Sequence, residues 1–328
     1  MGEAGGIEAE LARRAGIPFS AVATGQIRGR APWIAARNLA RMARGARQCS
    51  AVLRRFRPHV VFVTGGYVTA PVAWTAWRQG IPVLIYLPDV TPGLAIRLTS
   101  RLAAKVAVSC EEAAAWFPGK ALVTGYPVRP ELLAADRWAA RAALGLREGE
   151  PVLLVFGGSR GARSINKALV AALPSLLPRC QVVHISGQLD WPWVSRSAEG
   201  LPATLRERYH PYPYLHEEMI YALAAADLAI ARAGASVLGE FPAVGLPGIL
   251  VPYPFAGRHQ EANAAYLAAR GAAVIVADSD LPALLASTVL ELLDAPERLA
   301  RMAQAARALA RPHAACAIAQ ALWALARG

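Results

Sequence analysis

The stretch from residue 152 to residue 162 reads VLLVFGGSRGA, which has the form of a buried strand followed by a glycine-rich turn. Five consecutive apolar residues favour a strand that is covered on both faces, as in parallel sheets. Glycine lets the backbone approach a phosphate closely, and the helix that follows presents free N–H groups to an anion. The turn fits neither G-x-x-x-x-G-K-[ST] nor G-x-G-x-x-G, which disfavours a P-loop ATPase and a nicotinamide-dependent enzyme.

The same order of strand and helix recurs on both sides of this stretch. Strands are predicted at 60–63, 83–86, 106–109, 152–156, 182–185, 228–231, 249–251 and 273–276, with helices between them, for example at 162–173, 236–243 and 260–270. This order predicts an α/β protein whose parallel sheets carry helices on both faces. A polar interruption at 135–137 suggests domains at 1–135 and 136–313, with a C-terminal helix at 314–326 as a candidate to pack back on the first.

Composition indicates a folded protein with an uneven charge distribution. Of the 328 residues, 55% are hydrophobic and 18% charged, which excludes the disordered class. The four cysteines are far apart in sequence, so neither a metal-binding pair nor a disulfide framework is predicted, and a reducing compartment is the simpler interpretation. Residues 60–77 carry no charge, but Gly65, Gly66 and Pro71 interrupt them, which favours a strand, a turn and a helix over a membrane span.

The net charge of +12 is concentrated in residues 28–57, which contain nine arginines and no acid. Helical periodicity places Arg37, Arg41 and Arg44 on one face, with Trp33 and Ile34 on the same side at the helix start. A basic face with an apolar tip suits an anionic membrane surface, and a merely solvated face is the alternative. Nucleic acid is disfavoured as a partner because no second basic or aromatic platform accompanies the patch.

Three further polar segments follow predicted strands in the second half. Glu240 lies about one turn into a predicted helix, where its carboxylate suits the two hydroxyls of a ribose, or is simply an acid placed favourably near a helix N-terminus. The segment GRHQEAN at 257–263 suits sugar hydroxyls or a solvated helix start. Asp278-Ser279-Asp280 reads D-x-D, but its place between a strand and a helix favours a helix cap over a metal site.

Taken in order, these motifs resemble the MurG family, the UDP-N-acetylglucosamine:lipid I N-acetylglucosaminyltransferases. The resemblance covers nearly the whole chain and is carried by GGIEAEL, GGYVTAP, GYPVR, GGSRGARSIN, the turn at 233–240 and HQEANA. It implies two Rossmann-like domains of the glycosyltransferase B type, and inverting transfer of N-acetylglucosamine (GlcNAc) from UDP-GlcNAc to lipid I, which forms lipid II in peptidoglycan synthesis. It also implies peripheral attachment to the cytoplasmic face of the cell membrane, and transfer without a metal or other cofactor.

The resemblance assigns roles to individual residues. Arg129 and Ser159 are expected near the donor diphosphate, Glu240 at the ribose, and the backbone of Leu215 at uracil. His259 and Gln260 are expected at the GlcNAc, although His259 replaces a second glutamine that the family often has, which leaves that contact open. The nucleotide is expected to be lined by Ala235, Ser236, Val237, Leu238 and Gly239, and the acceptor-side loop to consist of Gly65, Gly66 and Tyr67.

Two departures from the family affect the acceptor side. Family members begin with a strand and a glycine-rich loop that contains a histidine, so the first domain is expected to lack its N-terminal strand-loop-helix, and the chain to bind donor but transfer slowly. After the second strand the family has an asparagine where this chain has Asp89, the remaining candidate for the general base. Two alternatives stay open: a transferase for another lipid acceptor, and a sugar-nucleotide-binding protein without catalysis.

Overall fold

The computed structural model describes residues 1–2, 5–23, 32–66, 68–158, 161–254 and 258–328. The chain divides into two compact units, one formed by Met1–Thr124 with Cys316–Gly328 and the other by Gly125–Ala315. The first division therefore precedes the predicted boundary at 135. The polar stretch at 135–137 begins a helix, because the Asp136 carboxylate accepts a hydrogen bond from the backbone N–H of Ala139 at 2.8 Å and caps it.

The first unit contains a parallel four-stranded sheet in the order β1-β2-β3-β4. The strands, which alternate with helices, are β1 (Val61–Val63), β2 (Val83–Leu87), β3 (Lys105–Val108) and β4 (Ala121–Val123). The helices are α1 (Ile7–Arg14), α2 (Pro32–Phe56), α3 (Thr69–Arg78), α4 (Leu94–Thr99) and α5 (Glu111–Ala114). All five residues of β2 are buried, as expected for a strand with neighbours on both sides and helices on its faces.

The second unit contains a parallel six-stranded sheet in the order β10-β9-β8-β5-β6-β7. Its strands are β5 (Val152–Phe156), β6 (Gln181–Ile185), β7 (Tyr209–Tyr212), β8 (Leu228–Ala231), β9 (Gly248–Leu250) and β10 (Ala273–Ile275). Its helices are α6 (Pro130–Leu133), α7 (Arg137–Ala143), α8 (Arg163–Leu176), α9 (Trp191–Glu199), α10 (Ala203–Arg206), α11 (Met219–Ala225), α12 (Val237–Val244), α13 (His259–Ala269), α14 (Leu281–Leu293) and α15 (Pro296–Ala308). The order of strands reverses between β5 and β8, so ligands are expected at the carboxyl ends of these two strands.

The chain ends in helix α16 (Ala314–Arg327), which the sequence predicted at 314–326. Its Ile318 is buried against Leu84, Tyr86 and Ala107 of the first sheet. No described helix is long and apolar enough to cross a membrane.

The predicted α/β class with parallel sheets is confirmed, and each of the eight predicted strands is present with its ends displaced by no more than one residue. Two strands, β4 and β7, were not predicted. β7 reads YHPY, in which Pro211 lacks an N–H and no aliphatic run marks a strand; the structure places it at the edge of the sheet, where proline is tolerated. β4 has three residues, and none of them is fully buried.

Candidate functional site

The glycine-rich turn after β5 is built so closely that side chains would not fit. A Cβ on Gly157 would lie 2.3 Å from the backbone nitrogen of Ala162, and one on Gly161 would lie 2.5 Å from the carbonyl oxygen of Ser186. Gly158 has a φ of 84°, which glycine adopts without strain. The turn leads directly into α8, whose first-turn N–H groups point towards the carboxyl edge of the sheet. Ser159 lies outside the described residues.

A buried polar network connects the start of α8 to the strands behind it. The ring of His184 lies between the Tyr209 hydroxyl, 2.7 Å from Nδ1, and the Asn166 Oδ1 atom, 3.0 Å from Nε2. The Asn166 amide donates to the Ser186 carbonyl and to the Asp190 carboxylate, and Asp190 pairs with Arg163 at 2.7 Å. Since Asn166 accepts from Nε2, His184 is neutral with its proton on Nε2, and Nδ1 accepts from Tyr209. The network fixes the first turn of α8 beneath the glycine-rich turn.

His184 is expected to make stability depend on pH. Burial lowers the pKa of its imidazole to about 3, compared with 6.5 for a free histidine. Between these two values the unfolded chain binds the extra proton, so stability rises with pH through this window and is complete above pH 6.5. Lowering the pH from 6.5 to 5 should cost about 2 kcal/mol through this residue.

Urea unfolding of the wild type and of His184→Gln at pH 6.5 and pH 5 measures this contribution. Glutamine retains a donor and an acceptor but does not titrate, so its loss of stability on acidification should be smaller by about 2 kcal/mol. An equal loss in both proteins would exclude His184 as the cause.

Helix α12 begins after β8 and carries Glu240 at the same edge of the sheet. The Glu240 carboxyl is half-buried. Burial raises its pKa, while a hydrogen bond from Ser236 and the positive charge of Arg129 act in the opposite direction. Arg129, exposed at the start of α6, is therefore close enough to act on Glu240 electrostatically. An acceptor for hydroxyls and a cation thus belong to the same region of the second unit.

The other predicted nucleotide contacts differ in their access to solvent. Ala235 and Ser236 are half-buried at the start of α12, whereas the side chains of Val237 and Leu238 are buried in the core. Gly239 is buried as well. Leu215 follows β7 with its side chain buried, which leaves its backbone as the part that a base would contact. The buried side chains of Val237 and Leu238 thus anchor α12 in the core, and Ala235 and Ser236 form the part that a nucleotide could contact.

The start of α13 contributes a second group of polar residues. The Gln260 Oε1 atom accepts a hydrogen bond from the backbone N–H of Tyr253 at 2.9 Å, which holds the chain that leaves β9. His259 is half-buried one position earlier. Asn263, fully buried, donates to the Ala233 carbonyl at 3.0 Å and joins α13 to the start of the α12 turn. Asn263 was expected only as one member of the polar segment at 257–263, and the structure shows it buried.

Arg232 is a further residue that the sequence analysis did not identify. It follows β8, and its guanidinium pairs with Asp278 at 2.5 Å and donates to the Ser164 hydroxyl at 2.7 Å. The D-x-D segment was expected to cap a helix: Asp280 does occupy the N-cap position of α14, but its side chain makes no capping hydrogen bond, and Asp278 pairs with Arg232. Among the described residues, no group of three or more histidines, cysteines and acids could hold a metal ion.

In the first unit, the carboxyl ends of β1 and β2 bring the predicted acceptor loop beside Asp89. Gly65 and Gly66 follow β1 with φ values of 109° and 78°, and the Thr69 hydroxyl donates to the Gly65 carbonyl at 2.5 Å, which closes the turn onto α3. Asp89 is half-buried just after β2, the neighbouring strand. The Ser109 hydroxyl donates to the Pro88 carbonyl at 2.8 Å and fixes the chain before Asp89. Tyr67 lies outside the described residues.

The predicted basic face falls on α2. Arg41 and Arg44 are exposed there, while Trp33, Ile34 and Arg37 belong to the helix but their side chains lie outside the described part. A cavity of about 850 Å³ lies between α2, α3 and α4, with Trp74 and Leu98 among its lining residues.

Two models of protein families match the chain. Residues 1–108 match the glycosyltransferase family 28 N-terminal domain, and residues 152–318 match the glycosyltransferase family 28 C-terminal domain. A curated protein of Roseiflexus sp. (strain RS-1) is 44% identical over 96% of this chain and 80% of its own length. One of Desulforudis audaxviator (strain MP104C) is 43% identical over 96% of this chain and 86% of its own. Both are named UDP-N-acetylglucosamine--N-acetylmuramyl-(pentapeptide) pyrophosphoryl-undecaprenol N-acetylglucosamine transferase.

Solved structures agree with these matches. The crystal structure of Acinetobacter baumannii MurG superposes with a TM-score of 0.77 and 26% identity, covering 98% of this chain and 89% of that one. A UDP-GlcNAc 2-epimerase from Neisseria meningitidis, at 16% identity and a TM-score of 0.65 over 97% of this chain and 88% of that one, shares the fold alone. With two α/β domains, parallel sheets and relatives of more than 40% identity, the chain belongs to the MurG family of glycosyltransferases, within glycosyltransferase family 28.

Proposed function

We propose that this chain transfers GlcNAc from UDP-GlcNAc to lipid I, the undecaprenyl-pyrophosphoryl-linked MurNAc-pentapeptide, and so forms lipid II for peptidoglycan synthesis. The observation that carries the proposal is that the glycine-rich turn after β5 and the half-buried Glu240 of α12, which follows β8, lie at the carboxyl ends of two neighbouring strands of the second sheet. The relatives named for this reaction supply the identity of the sugar and of the acceptor.

The donor occupies the second unit in this proposal. Glu240 accepts hydrogen bonds from the two ribose hydroxyls, and the first turn of α12 at Ala235 and Ser236 lies against the nucleoside. The diphosphate lies at the glycine-rich turn, where the first-turn N–H groups of α8 and the cation of Arg129 favour negative charge. Gln260 and His259 face the sugar from the start of α13.

Transfer with inversion needs one displacement at the anomeric carbon. The acceptor hydroxyl forms the new bond as the bond to the UDP diphosphate breaks. Negative charge grows on the leaving UDP, which Arg129 and the α8 amides stabilise without a metal ion. Asp89 accepts the proton from the acceptor hydroxyl, and the loop at Gly65 and Gly66, followed by α3, receives the acceptor diphosphate.

The acceptor is a membrane lipid, so the enzyme docks on the cytoplasmic face of the cell membrane in this proposal. The exposed Arg41 and Arg44 of α2 provide charge that anionic lipids attract. Apolar side chains of the same unit are also exposed: Trp74, Trp77, Leu94 and Leu98 on α3 and α4. The Arg78 guanidinium lies 5.3 Å from the centre of the Trp74 ring. Cations beside exposed aromatic rings suit the boundary between headgroups and acyl chains.

Replacement of Glu240 by alanine tests the donor site. The variant should bind UDP about 5- to 150-fold more weakly, because two ribose hydroxyls lose their acceptor at a cost of roughly 1–3 kcal/mol. Isothermal titration of UDP into both proteins measures the change.

Glu291→Ala, which removes an exposed carboxylate from α14 of the same unit, is the matched control and should leave the affinity unaltered. If folded Glu240→Ala bound UDP as tightly as the wild type, Glu240 would have no part in the donor site.

A further inference from the structure

Tyr126 lies directly on helix α12, at its one glycine. A Cβ built on Gly239 would come within 2.6 Å of Tyr126 Cδ1, 2.8 Å of Cβ and 3.0 Å of Cγ. The Tyr126 side chain therefore packs against the backbone of Gly239. Gly239 directly precedes Glu240 in the same turn of α12. The space that a side chain at 239 would need is therefore taken by Tyr126.

The residue before Tyr126 is also closely packed. Gly125 has a φ of 91°, and a Cβ there would lie 2.3 Å from the Cβ of Arg311 and 3.3 Å from that of Ala314. The backbone at 125–126 is thus enclosed between α12 and residues 311–314. Because Gly125 and Gly239 have no side chains, the segments on either side of Tyr126 pack at close distance.

Arg129 follows three residues after Tyr126, at the start of α6. Its carbonyl accepts from the backbone N–H of Leu132 at 3.0 Å, which starts α6, and the Leu132 side chain is buried. Helix α6 packs against α12. The contact of Tyr126 with Gly239 therefore links the chain that precedes Arg129 to the turn of α12 that carries Glu240.

We infer that Tyr126 is a positioning residue that fixes the separation of Arg129 from Glu240, and with it the enzyme's preference for a nucleoside diphosphate over a nucleoside. Arg129 meets the diphosphate and Glu240 meets the ribose, so a ligand that contains both groups is bound well only when their spacing is correct. This inference rests on the proposed donor site.

Gly239→Ala is the test, because it adds one methyl group against Tyr126. The contact involves Cβ and Cγ of Tyr126, near the root of the side chain, so a rotamer change cannot relieve it and the backbone before Arg129 must shift. Alanine is otherwise the better helix former, so the helix itself should not suffer. A shift of Arg129 weakens its charge-assisted hydrogen bonds to the diphosphate, which depend on good geometry. We expect the affinity for UDP to fall on the order of 10-fold, and the affinity for uridine, which lacks the diphosphate, to stay near that of the wild type.

The ratio of the two affinities separates positioning from general damage to α12, which would weaken UDP and uridine alike. Tyr126→Phe keeps the ring and should keep the wild-type ratio, whereas Tyr126→Ala should lower it. Gly239→Ala should cost less in the Tyr126→Ala background than in the wild type, because the contacts with Cδ1 and Cγ are then absent and only the contact with Cβ at 2.8 Å remains. Gly200→Ala, whose added Cβ would meet nothing closer than 3.6 Å, is the steric control.

A wild-type ratio of UDP to uridine affinity in both Gly239→Ala and Tyr126→Ala would overturn the inference, and so would an equal loss for the two ligands. If Gly239→Ala does not fold, Tyr126→Ala decides alone. Failure of the proposed donor site is recognised separately, since folded Glu240→Ala would then bind UDP like the wild type.

Discussion

Asp89→Asn is expected to lower the rate of acceptor-dependent GlcNAc transfer by about 10²-fold or more, since a positioned general base typically contributes 10²–10⁴-fold. Asparagine has nearly the same shape but cannot accept the proton of the acceptor hydroxyl. Asp89 stands at the carboxyl end of β2 beside the loop that follows β1, which is where the proposal places the acceptor. The affinity for UDP should not change, because the donor residues belong to the other unit.

Transfer of labelled GlcNAc to a short-chain lipid I analogue measures this effect, with UDP affinity and thermal unfolding recorded for the same preparations. Glu112→Gln removes an exposed carboxylate from the same unit and is the control. Transfer by Asp89→Asn at the rate of the wild type would remove Asp89 from the chemistry and require another base.

Replacing Arg37, Arg41 and Arg44 together by glutamine is expected to weaken binding to anionic membranes by about 10²-fold. Each arginine near such a surface contributes about 1 kcal/mol, so three contribute about 3 kcal/mol. Binding of the wild type should also fall with added salt, which screens these charges. Co-sedimentation with phosphatidylglycerol vesicles at two salt concentrations measures both effects.

A control variant distinguishes whether vesicle binding depends on where the arginines lie or only on the net charge of the protein. Arg196, Arg298 and Arg301 are exposed in the second unit, and their replacement by glutamine removes the same net charge. This variant should bind vesicles nearly as well as the wild type. If vesicle binding responded neither to the α2 substitutions nor to salt, the basic face would not be the docking surface.

Continuous apolar runs made the strands that form the sheet predictable. VLLVF and LAIA, at 152–156 and 228–231, can be buried only as strands covered on both faces, and both appear with the predicted ends. β7 was not predicted because Pro211 argues against a strand. Proline is tolerated there because β7 is an edge strand. The domain boundary was displaced because Asp136 has the polarity of a linker but in fact caps a helix.

Site residues were predictable where a single segment of sequence contains the whole motif. They were not predicted where the site is formed by segments that are far apart along the chain. Glu240 lies in the first turn of α12, the helix that directly follows β8 along the chain, so its place at the edge of the sheet is a local property. Arg232, Ser164 and Asp278 come from three separate segments, and only the packed sheet shows that they form one cluster. Nothing in the sequence reveals that Tyr126 packs against Gly239, which is a contact between two segments that are far apart along the chain.

The central claim is that this chain joins GlcNAc to a lipid-linked acceptor. Incubation with labelled UDP-GlcNAc and a short-chain lipid I analogue, followed by separation of lipid from water-soluble label, tests it most directly. The account predicts label in the lipid fraction that requires lipid I, is not replaced by diacylglycerol, and is lost when Glu240 is changed to alanine at limiting donor. Tight binding of UDP-GlcNAc without label in any lipid would contradict it and identify a sugar-nucleotide-binding protein, and label in diacylglycerol alone would identify a different transferase.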